Sequence, residues 1–487
     1  MIASNFDISK PIFEGLKSRA QSAVLKDKSR ELTGLEVIDL INYVSNLLSN
    51  KGLAAGDRVL LVNDGDVFFP IFYTSIVRPR GVVVPCPTGS NVRFGEQYLS
   101  KRAQPKFIIA SKDYDNLTGV NINGTPYYLY SLSNKTNKMS LTLNEIGVAS
   151  LMFTSGTTGE PKGVLVSHEN LCSTLQKNID FQNLSKTTIE LNTLPLTHSF
   201  GLGQLNATLA AGGLAIVLPG LANVGQFFKM AKSNKVTSLP MTPAGLKILT
   251  DRYLGVFSEH FESLETIMVN SAPLPPDISR TLLELLPKTR LLVYYGLTEA
   301  SRSTFAELNS HDQSLLISVG KPIGDTSIYL SKKNSEIVVS GSNVSPGYFH
   351  DCETPIQKHT GGNLPTGDKG KLDDKGRLVV VGRLFDELNI GGYKIDPLEV
   401  ERLVLELNAV NQACYTKIDG IADIAETVLF IQASETMDVM NVRAFLREKL
   451  EGYKLPSHIF QIAEIPIFDS GKINRKEAKI LAKEFLN

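Results

Sequence analysis

The chain has 487 residues, of which 42% are hydrophobic and 21% charged, and its 50 basic and 50 acidic side chains cancel at neutral pH. This composition is typical of globular proteins, and the balanced charge gives no electrostatic case for binding nucleic acid or an anionic membrane. The length predicts about two to four structural units instead of a single core.

The N-terminus and the cysteines predict a cytoplasmic protein. The N-terminal stretch contains acidic Asp7 and no apolar run that could act as a signal peptide. The only long uncharged stretch, 191–228, is interrupted by prolines and glycines, so no integral membrane segment is expected. The four cysteines lack the spacing of a zinc site or a disulfide framework and fit a reducing compartment: Cys86, Cys172, Cys352 and Cys414.

Helix-like and strand-like segments alternate through the first part of the chain. Apolar residues at helical spacing predict helices at 34–51, 67–77, 224–233, 243–254 and 276–286. Short apolar runs predict strands at 58–63, 81–85, 107–110, 213–218, 236–240, 266–269 and 290–294. The alternation predicts an α/β fold with doubly wound sheets. The polar segment 131–143 is predicted to be a surface connection.

Two later changes in pattern predict smaller units. From Gly320 onward, short strands such as 335–340 and turns predict a small β subdomain. After Gly382 the pattern becomes α+β, with a helix start at Asp396-Pro397-Leu398-Glu399. Further strands are predicted at 413–418, 427–432 and 459–462, and helices at 440–449 and 475–485. We therefore predict a large N-terminal domain at 1–382, with mixed sheets and the β subdomain, and a small α+β C-terminal domain at 383–487.

A glycine-rich loop between two apolar runs is the strongest local signal. The runs are 149–153 and 164–166, and Ser167 can cap the helix that follows. Glycines allow close backbone approach, and exposed N–H groups, hydroxyls and a lysine bind anions, so the loop predicts a phosphate site. It is not a Walker loop, because Pro161 stands where that pattern needs glycine, and a plain hairpin loop is the alternative. The candidate residues are Thr154, Ser155, Gly156, Thr157, Thr158, Gly159 and Lys162.

The order Thr-Ser-Gly-Thr-Thr-Gly-x-Pro-Lys-Gly closely resembles the signature of the adenylate-forming superfamily. This group of AMP-dependent synthetases and ligases includes acyl-CoA synthetases, adenylation domains of peptide synthetases, and luciferases. The resemblance implies that the loop holds the phosphates of ATP. It also implies Mg²⁺ and a mobile C-terminal domain that carries a catalytic lysine.

A second motif, Tyr-Tyr-Gly-Leu-Thr-Glu, begins at the end of a predicted strand, where ligands bind in open parallel sheets. Tyr295 offers a flat face to a base, Thr298 a hydroxyl to a phosphate, and Glu299 a carboxylate to Mg²⁺. A structural loop carboxylate is the alternative for Glu299. The resemblance implies that this segment, including Gly296 and Leu297, contacts adenine, the α-phosphate and the metal.

Two motifs near the C-terminal part complete the predicted nucleotide site. Asp368 follows a Thr-Gly turn and Arg383 follows a strand, so these residue types could bind ribose or phosphate oxygens, or form an ordinary surface pair. Lys472 lies in a turn before the last predicted helix, where a lysine is usually a solvated charge. The resemblance implies instead that Asp368 binds the ribose beside Arg383. It also implies that Lys472 stabilises charge during adenylation.

The resemblance also places an acyl pocket and a thiol-binding loop. The segment Pro-Leu-Thr-His-Ser-Phe-Gly and the segment Asn-Ser-Ala-Pro-Leu resemble stretches that line the acyl group and adenine. A lone histidine such as His198 is more often structural. The implied pocket residues are His198, Phe200, Gly201, Asn270, Ser271 and Gly296, with Ser271, Ala272 and Pro273 also near adenine. The implied thiol-binding residues are Gly391, Gly392 and Tyr393.

Three positions depart from the family pattern. Activators of α-amino acids usually carry an aspartate where this chain has Gly201, so we expect a plain carboxylic acid as substrate. Ser271 replaces a glycine, which is expected to narrow or polarise the pocket. Phe385 stands where the family hinge is normally Asp or Lys, so the polar anchoring of the hinge is in question.

The resemblance implies a two-step reaction. ATP converts the acid to an acyl-adenylate with release of pyrophosphate, and a thiol then takes the acyl group. Coenzyme A is the first candidate acceptor, and the phosphopantetheine of an acyl or peptidyl carrier protein is the second. A non-catalytic adenine-nucleotide sensor is a third hypothesis, which the retained Lys472 and Glu299 disfavour.

Overall fold

A computed structural model describes residues 6–63, 65–87, 96–111, 119–132, 138–154, 162–309, 312–349, 357–359, 362–384, 388–390, 393–395, 397–419, 425–468 and 473–486. The chain divides into two compact units. The first comprises Met1–Ile328 and Val338–Leu364, and the second comprises Tyr329–Ile337 and Pro365–Asn487. The predicted domain boundary at 382/383 stays a prediction.

The helices run from one end of the chain to the other. They are α1 (Ser9–Lys17), α2 (Gly34–Asn50), α3 (Phe68–Val77), α4 (Glu96–Ala103), α5 (Lys138–Ile146), α6 (His168–Gln182), α7 (Ser199–Ala210), α8 (Val224–Asn234), α9 (Pro243–His260), α10 (Pro276–Leu285), α11 (Pro397–Val404), α12 (Val439–Lys449) and α13 (Arg475–Leu486).

The strands alternate with these helices in the first unit and become denser after α10. They are β1 (Ala23–Lys26), β2 (Glu31–Thr33), β3 (Arg58–Val62), β4 (Val82–Cys86), β5 (Phe107–Ala110), β6 (Val120–Asn121), β7 (Tyr128–Ser131), β8 (Val148–Thr154), β9 (Lys162–Ser167), β10 (Ile189–Asn192), β11 (Leu214–Val217), β12 (Ser238–Met241), β13 (Thr266–Val269), β14 (Arg290–Tyr295), β15 (Thr304–Glu307), β16 (Ser327–Leu330), β17 (Glu336–Ser340), β18 (Gly347–Phe349), β19 (Gln357–Lys358), β20 (Asn363–Leu372), β21 (Leu378–Arg383), β22 (Leu388–Ile390), β23 (Tyr393–Ile395), β24 (Val410–Asp419), β25 (Ala425–Ala433) and β26 (His458–Gln461).

Two large mixed sheets form the first unit. One has eight strands in the order β15-β14-β13-β12-β10-β11-β1-β2, and the other has nine in the order β19-β18-β9-β8-β4-β3-β5-β7-β6. The central strands are parallel and the edges antiparallel, as in the pairing of β13 with β14 and of β14 with β15. The predicted class, doubly wound mixed sheets with smaller β and α+β parts, is confirmed.

Helices cover both faces of each large sheet. Residues of α1, α2, α3, α6 and α7 share one apolar core with β1 and β11 of the first sheet and β3, β5, β8 and β9 of the second. On the opposite faces, α8, α9 and α10 pack on the eight-stranded sheet, and α4 and α5 pack on the nine-stranded sheet. Because its strands are buried from two sides, each sheet is built from nearly continuous apolar runs.

The second unit contains its own core. Strands β24, β25 and β26 form a sheet with α11 and α12 packed on one face and α13 on the other. The start of α13 is tied to α11 by an ion pair in which Nη2 of Arg475 lies 2.8 Å from Oε2 of Glu401, with Nη1 on the other carboxylate oxygen. Glu401 is 3% exposed, so this pair is held inside the unit.

Local sequence signals explain where several elements begin. Ser167 caps α6 as predicted: its hydroxyl accepts from the Asn170 N–H, and the Asn170 side chain accepts from the Ser167 N–H.

The prediction of a surface connection at 131–143 is wrong for the part that the structure describes as α5. There Leu143 and Ser140 are buried, so one face of this helix packs against the interior.

Two expectations about composition can be compared with the described residues. The three cysteines in that part of the chain, Cys86, Cys172 and Cys414, form no disulfide. Among the described helices, none combines the length and the apolar character that crossing a membrane requires.

Burial of His168 makes the stability of the first unit depend on pH. Its side chain is inaccessible to solvent, its Nδ1 accepts from the Ile8 N–H at 3.3 Å, and burial lowers the pKa of His168 to about 4. An unfolded histidine has a pKa of about 6.5, so between these two values the unfolded state binds more protons. Stability is then complete above the unfolded pKa and is lost as the pH falls toward the folded pKa.

We expect the free energy of unfolding to fall by up to roughly 1.4 kcal/mol per pH unit between about pH 6.5 and 4 because of this group. His168→Asn should remove that component, because the amide can accept from Ile8 without titrating. Denaturant unfolding of both proteins across this range measures the difference in slope, with pH 7.5 as each protein's own baseline. Equal slopes would show that His168 does not contribute.

Candidate active site

Two loops emerge at the same edge of the eight-stranded sheet. Strands β13 and β14 are parallel neighbours, so the residues that follow them, beginning at Asn270 and Gly296, lie side by side. The Asn270 side chain donates to the carbonyl of Tyr294 at 2.7 Å and ties the two strand ends together. This is the position where open parallel sheets bind ligands.

The first loop holds a strained residue. Ser271 has a φ of 89°, a conformation that glycine adopts far more readily than serine. The sequence departure from glycine at this position therefore carries a backbone cost of roughly 1 kcal/mol or more. Ser271 is half-buried, while Ala272 and Pro273 are exposed.

The second loop folds back on itself after Tyr295, which is 8% exposed. Leu297 and Ala300 exchange backbone hydrogen bonds, and the Ser303 N–H donates to the Tyr295 carbonyl at 2.8 Å. A Cβ at Gly296 would lie 2.5 Å from the backbone nitrogen of Arg302, so this position requires glycine. The turn fixes Thr298 and Glu299 beyond the end of β14.

The carboxylate of Glu299 is held from a distant part of the chain. Tyr348 in β18 donates its phenol to Oε1 of Glu299 at 3.1 Å, and the Ser345 N–H donates to the Glu299 carbonyl at 2.7 Å. Burial and then the Glu299 charge raise the pKa of Tyr348 well above its usual range, so the phenol stays a neutral donor. These two hydrogen bonds orient Glu299.

Tyr348 also contacts the lysine of the glycine loop. Lys162 Nζ lies 5.5 Å from the centre of the Tyr348 ring, within cation–π range. Lys162 is opposite Thr154 in the β8–β9 pairing, so these two residues stand at the base of the loop. Glu299 and Lys162, from two separate motifs, thus both contact the Tyr348 side chain.

His359 completes this cluster. Its ring packs edge-on against Tyr348 at 5.2 Å, and its Nε2 lies 3.0 Å from the Ser345 hydroxyl. Burial lowers the pKa of His359, with the Glu299 charge acting in the opposite direction. Sequence reasoning missed both Tyr348 and His359, because short strands after Gly320 carry no motif that marks a residue as functional.

The segment predicted to line the acyl pocket lies beside these loops. Phe200 is buried and packs edge-on against Tyr294 at 5.4 Å, while His198 precedes α7 and is exposed. A Cβ at Gly201 would lie 2.5 Å from the Pro195 carbonyl oxygen. This position therefore has no room for a larger side chain, and the expectation of a plain acid stays a prediction.

Asp368 and Arg383 pair within the second unit. They are opposite each other in the β20–β21 pairing, and Arg383 Nε lies 3.0 Å from Asp368 Oδ1. Asp368 is 4% exposed, which is unlike an ordinary surface ion pair. The pairing keeps one carboxylate and one guanidinium at a fixed separation.

Several predicted site residues lie outside the described residues. These are Ser155, Gly156, Thr157, Thr158 and Gly159 of the glycine loop, Phe385, Gly391, Gly392 and Lys472, and the side chain of Tyr393. The neighbour of Lys472, Ile473, pairs with Ile467, and the Asn474 N–H donates to the Pro466 carbonyl at 2.8 Å.

The arrangement around Tyr348 suits a metal ion that is bound partly by the protein and partly by the phosphates of a nucleotide. Among the described residues, no group of three or more acidic, histidine or cysteine side chains could hold an ion without help. Mg²⁺ is commonly bound by one or two carboxylates together with substrate phosphates. The oriented carboxylate of Glu299, near Lys162 and the base of the glycine loop, fits that arrangement.

Comparisons with known proteins agree with the motif set. A family model described as AMP-binding enzyme matches residues 14–349. The chain is 26% identical to the probable CoA ligase CCL9 of Humulus lupulus, over 95% of this chain and 93% of that protein. It is 27% identical to the oxalate–CoA ligase of Arabidopsis thaliana, over 93% of this chain and 94% of that protein. The fold resembles ATP-bound MatB from Rhodopseudomonas palustris, with a TM-score of 0.82 and 21% identity over 99% of each chain.

Loss of the Tyr348 phenol should weaken metal-dependent nucleotide binding. Tyr348→Phe keeps the ring beside Lys162 and removes only the hydrogen bond to Glu299. Groups that orient a metal ligand typically contribute about 10- to 100-fold to metal affinity. We expect the Mg²⁺ concentration for half-maximal ATP binding, measured by titration calorimetry, to rise by at least about 10-fold.

Tyr329→Phe is the matched control, because Tyr329 is 49% exposed and the same atom is removed. An unchanged Mg²⁺ requirement in Tyr348→Phe, with normal folding, would contradict the orienting role.

Proposed function

The chain belongs to the AMP-binding enzyme family, and from this membership we propose that it activates a carboxylic acid with ATP and transfers the acyl group to a thiol. The observation that carries the proposal is the arrangement around Tyr348, whose side chain contacts both Glu299 and Lys162. One motif supplies a carboxylate of the kind that binds Mg²⁺, and the other a cation of the kind that binds phosphate. Both are required for adenylation by MgATP.

The first step joins the acid to AMP. A carboxylate oxygen of the acid bonds to the α-phosphorus of ATP, the bond to the β-phosphate oxygen breaks, and pyrophosphate leaves. Lys162 and the glycine-loop hydroxyls would hold the departing phosphates, and Glu299 would bind Mg²⁺. The metal would neutralise phosphate charge. Thr298 would contact the α-phosphate, because its hydroxyl lies in the same turn as Glu299.

Further predicted residues would bind the rest of the nucleotide. The Tyr295 ring would stack on adenine, and Asp368 would accept hydrogen bonds from the ribose hydroxyls with Arg383 beside it. Lys472 would stabilise charge on the reacting oxygens, because attack of one anion on another needs a nearby cation.

The second step forms a thioester. A thiolate attacks the acyl carbon, the bond to the AMP oxygen breaks, and AMP leaves. We propose coenzyme A as the acceptor, supported by the CoA ligases among the relatives. Gly391, Gly392 and Tyr393 would contact the thiol arm. Rotation of a C-terminal domain about Phe385 between the two steps is part of the same proposal, as is a cytoplasmic location.

Acid-dependent exchange of pyrophosphate into ATP tests the first step. The purified protein is assayed with short, medium, long and aromatic acids. Successful acids are then tested with coenzyme A and with a phosphopantetheinylated carrier protein. We expect exchange with some acids and thioester formation with coenzyme A. Transfer only to the carrier protein would reassign the acceptor, and ATP binding without exchange for any acid would indicate a nucleotide sensor.

Lys472→Ala separates the two steps. We expect pyrophosphate exchange to fall by at least about 100-fold, because removing one preorganised charge-stabilising group commonly has that effect. Thioester formation from chemically prepared acyl-adenylate should persist. Lys476→Ala, which removes an exposed lysine of α13, is the control. Loss of both activities in a normally folded Lys472→Ala protein would contradict the division of roles.

A further inference from the structure

Arg302 is a buried arginine immediately after the Glu299 turn. It is 2% exposed, and its φ of 55° lies in the left-handed region. Its guanidinium lies 5.0 Å from the centre of the Tyr294 ring. On another side is Gly203 of α7, where a Cβ would come within 2.4 Å of Nη1. An aromatic face and a glycine thus form a slot of the shape that a planar guanidinium needs.

The hydrogen bonds of Arg302 do not neutralise it. Nη1 donates to the Ser301 hydroxyl at 3.1 Å, and Nη2 donates to Oε1 of Gln204 at 3.3 Å and to the Phe200 carbonyl at 3.5 Å. Nε is buried and has no hydrogen-bond partner among the described residues. All three acceptors are uncharged. Burying a cation is unfavourable unless a counter-ion accompanies it.

Glu190 lies one amide away and does not pair with Arg302 directly. Gln204 donates to Glu190 Oε2 at 3.3 Å, and Thr208 donates to the same oxygen at 2.9 Å. Burial raises the pKa of Glu190 to about 7, so a neutral fraction is present at physiological pH. Glu190 is therefore placed to orient the Gln204 amide. It balances the positive charge of Arg302 only in part.

A small polar cavity adjoins this arginine. It has a volume of about 30 Å³, and its polar lining includes Ser199, Thr298, Ser301, Arg302 and Asn343. Leu202 and Met152 supply apolar wall. This volume corresponds to only about one water molecule in the liquid, so the cavity suits a compact group and not an extended chain. Thr298 connects it to the residues proposed to contact the α-phosphate.

We propose that Arg302 binds a second anionic group on the acid, so that the enzyme prefers short dicarboxylic acids over monocarboxylic acids of the same length. This inference rests on the proposed function. A carboxylate can accept two parallel hydrogen bonds from a guanidinium, and the free Nε–H supplies one donor that no described residue uses. The second carboxylate supplies the direct ion pair that Arg302 does not form with Glu190, and the small cavity limits chain length.

Matched pairs of acids test the inference through pyrophosphate exchange. Oxalate, malonate and succinate are compared with acetate, propionate and butyrate, and kcat/KM is measured for each. We expect at least one dicarboxylate to exceed its partner by about 100-fold or more, because a site built around a charged contact rejects an analogue that lacks it. Arg302→Met should bring that ratio close to one, mainly through the KM of the dicarboxylate.

Two further variants protect the test against misfolding. Arg280→Met removes an exposed arginine of α10 and should leave the ratio unchanged. Gly203→Ala keeps the charge of Arg302 but displaces the guanidinium, and should lower the ratio. If Arg302→Met does not fold, the inference is tested by the kcat/KM ratios of the wild-type protein and of Gly203→Ala. Equal kcat/KM values for the two acid types would overturn the inference. So would a ratio that stays unchanged in both Gly203→Ala and a folded Arg302→Met. Exchange with no acid at all would instead count against the proposed function.

Discussion

The antiparallel pairing of β18 with β9 is the constraint on which the candidate site depends. It places Tyr348 opposite Val164 and Phe349 opposite Gly163. A Cβ at Gly163 would lie 3.0 Å from the Phe349 carbonyl, so glycine allows the strands to approach closely. The ring that contacts both Lys162 and Glu299 is therefore positioned by main-chain hydrogen bonds. The geometry of two loop motifs depends on a strand that belongs to neither.

The sequence predicted the parts of this arrangement that local patterns encode. Apolar runs predicted β13 and β14 within a residue, and the cap at Ser167 predicted the start of α6. Tyr348 could not be found in that way, because its pairing with β9 joins residues far apart in the chain. The positive φ of Ser271 could not be predicted either. The sequence shows that serine replaces glycine, but it does not show the backbone conformation that makes this replacement costly. Helix α5 was missed because polar residue types outnumber apolar ones in this stretch of the sequence.

Two buried titratable groups of the first unit have pKa values shifted toward the neutral form. His168 is buried where it remains neutral, and Glu190 is buried where a proton can stay on it. Arg302 differs from both, because an arginine cannot lose its charge at physiological pH. Its surroundings reduce the cost with an aromatic face and neutral acceptors, and the remaining positive charge lies next to the turn that holds Glu299. In a structural residue, burial of such a charge would only reduce stability. In a residue that binds an anion, the same buried charge provides the binding site.

The ion pair between Arg475 and Glu401 has a mechanical consequence. It fixes the first turn of α13 to α11, and the cores on both faces of β24–β26 join the same elements. Among the described residues of this unit, α11, α13 and the three-stranded sheet are therefore held together as one packed block. Removal of either partner of the ion pair would loosen the junction between the two helices and leave the other charge buried without its counter-ion.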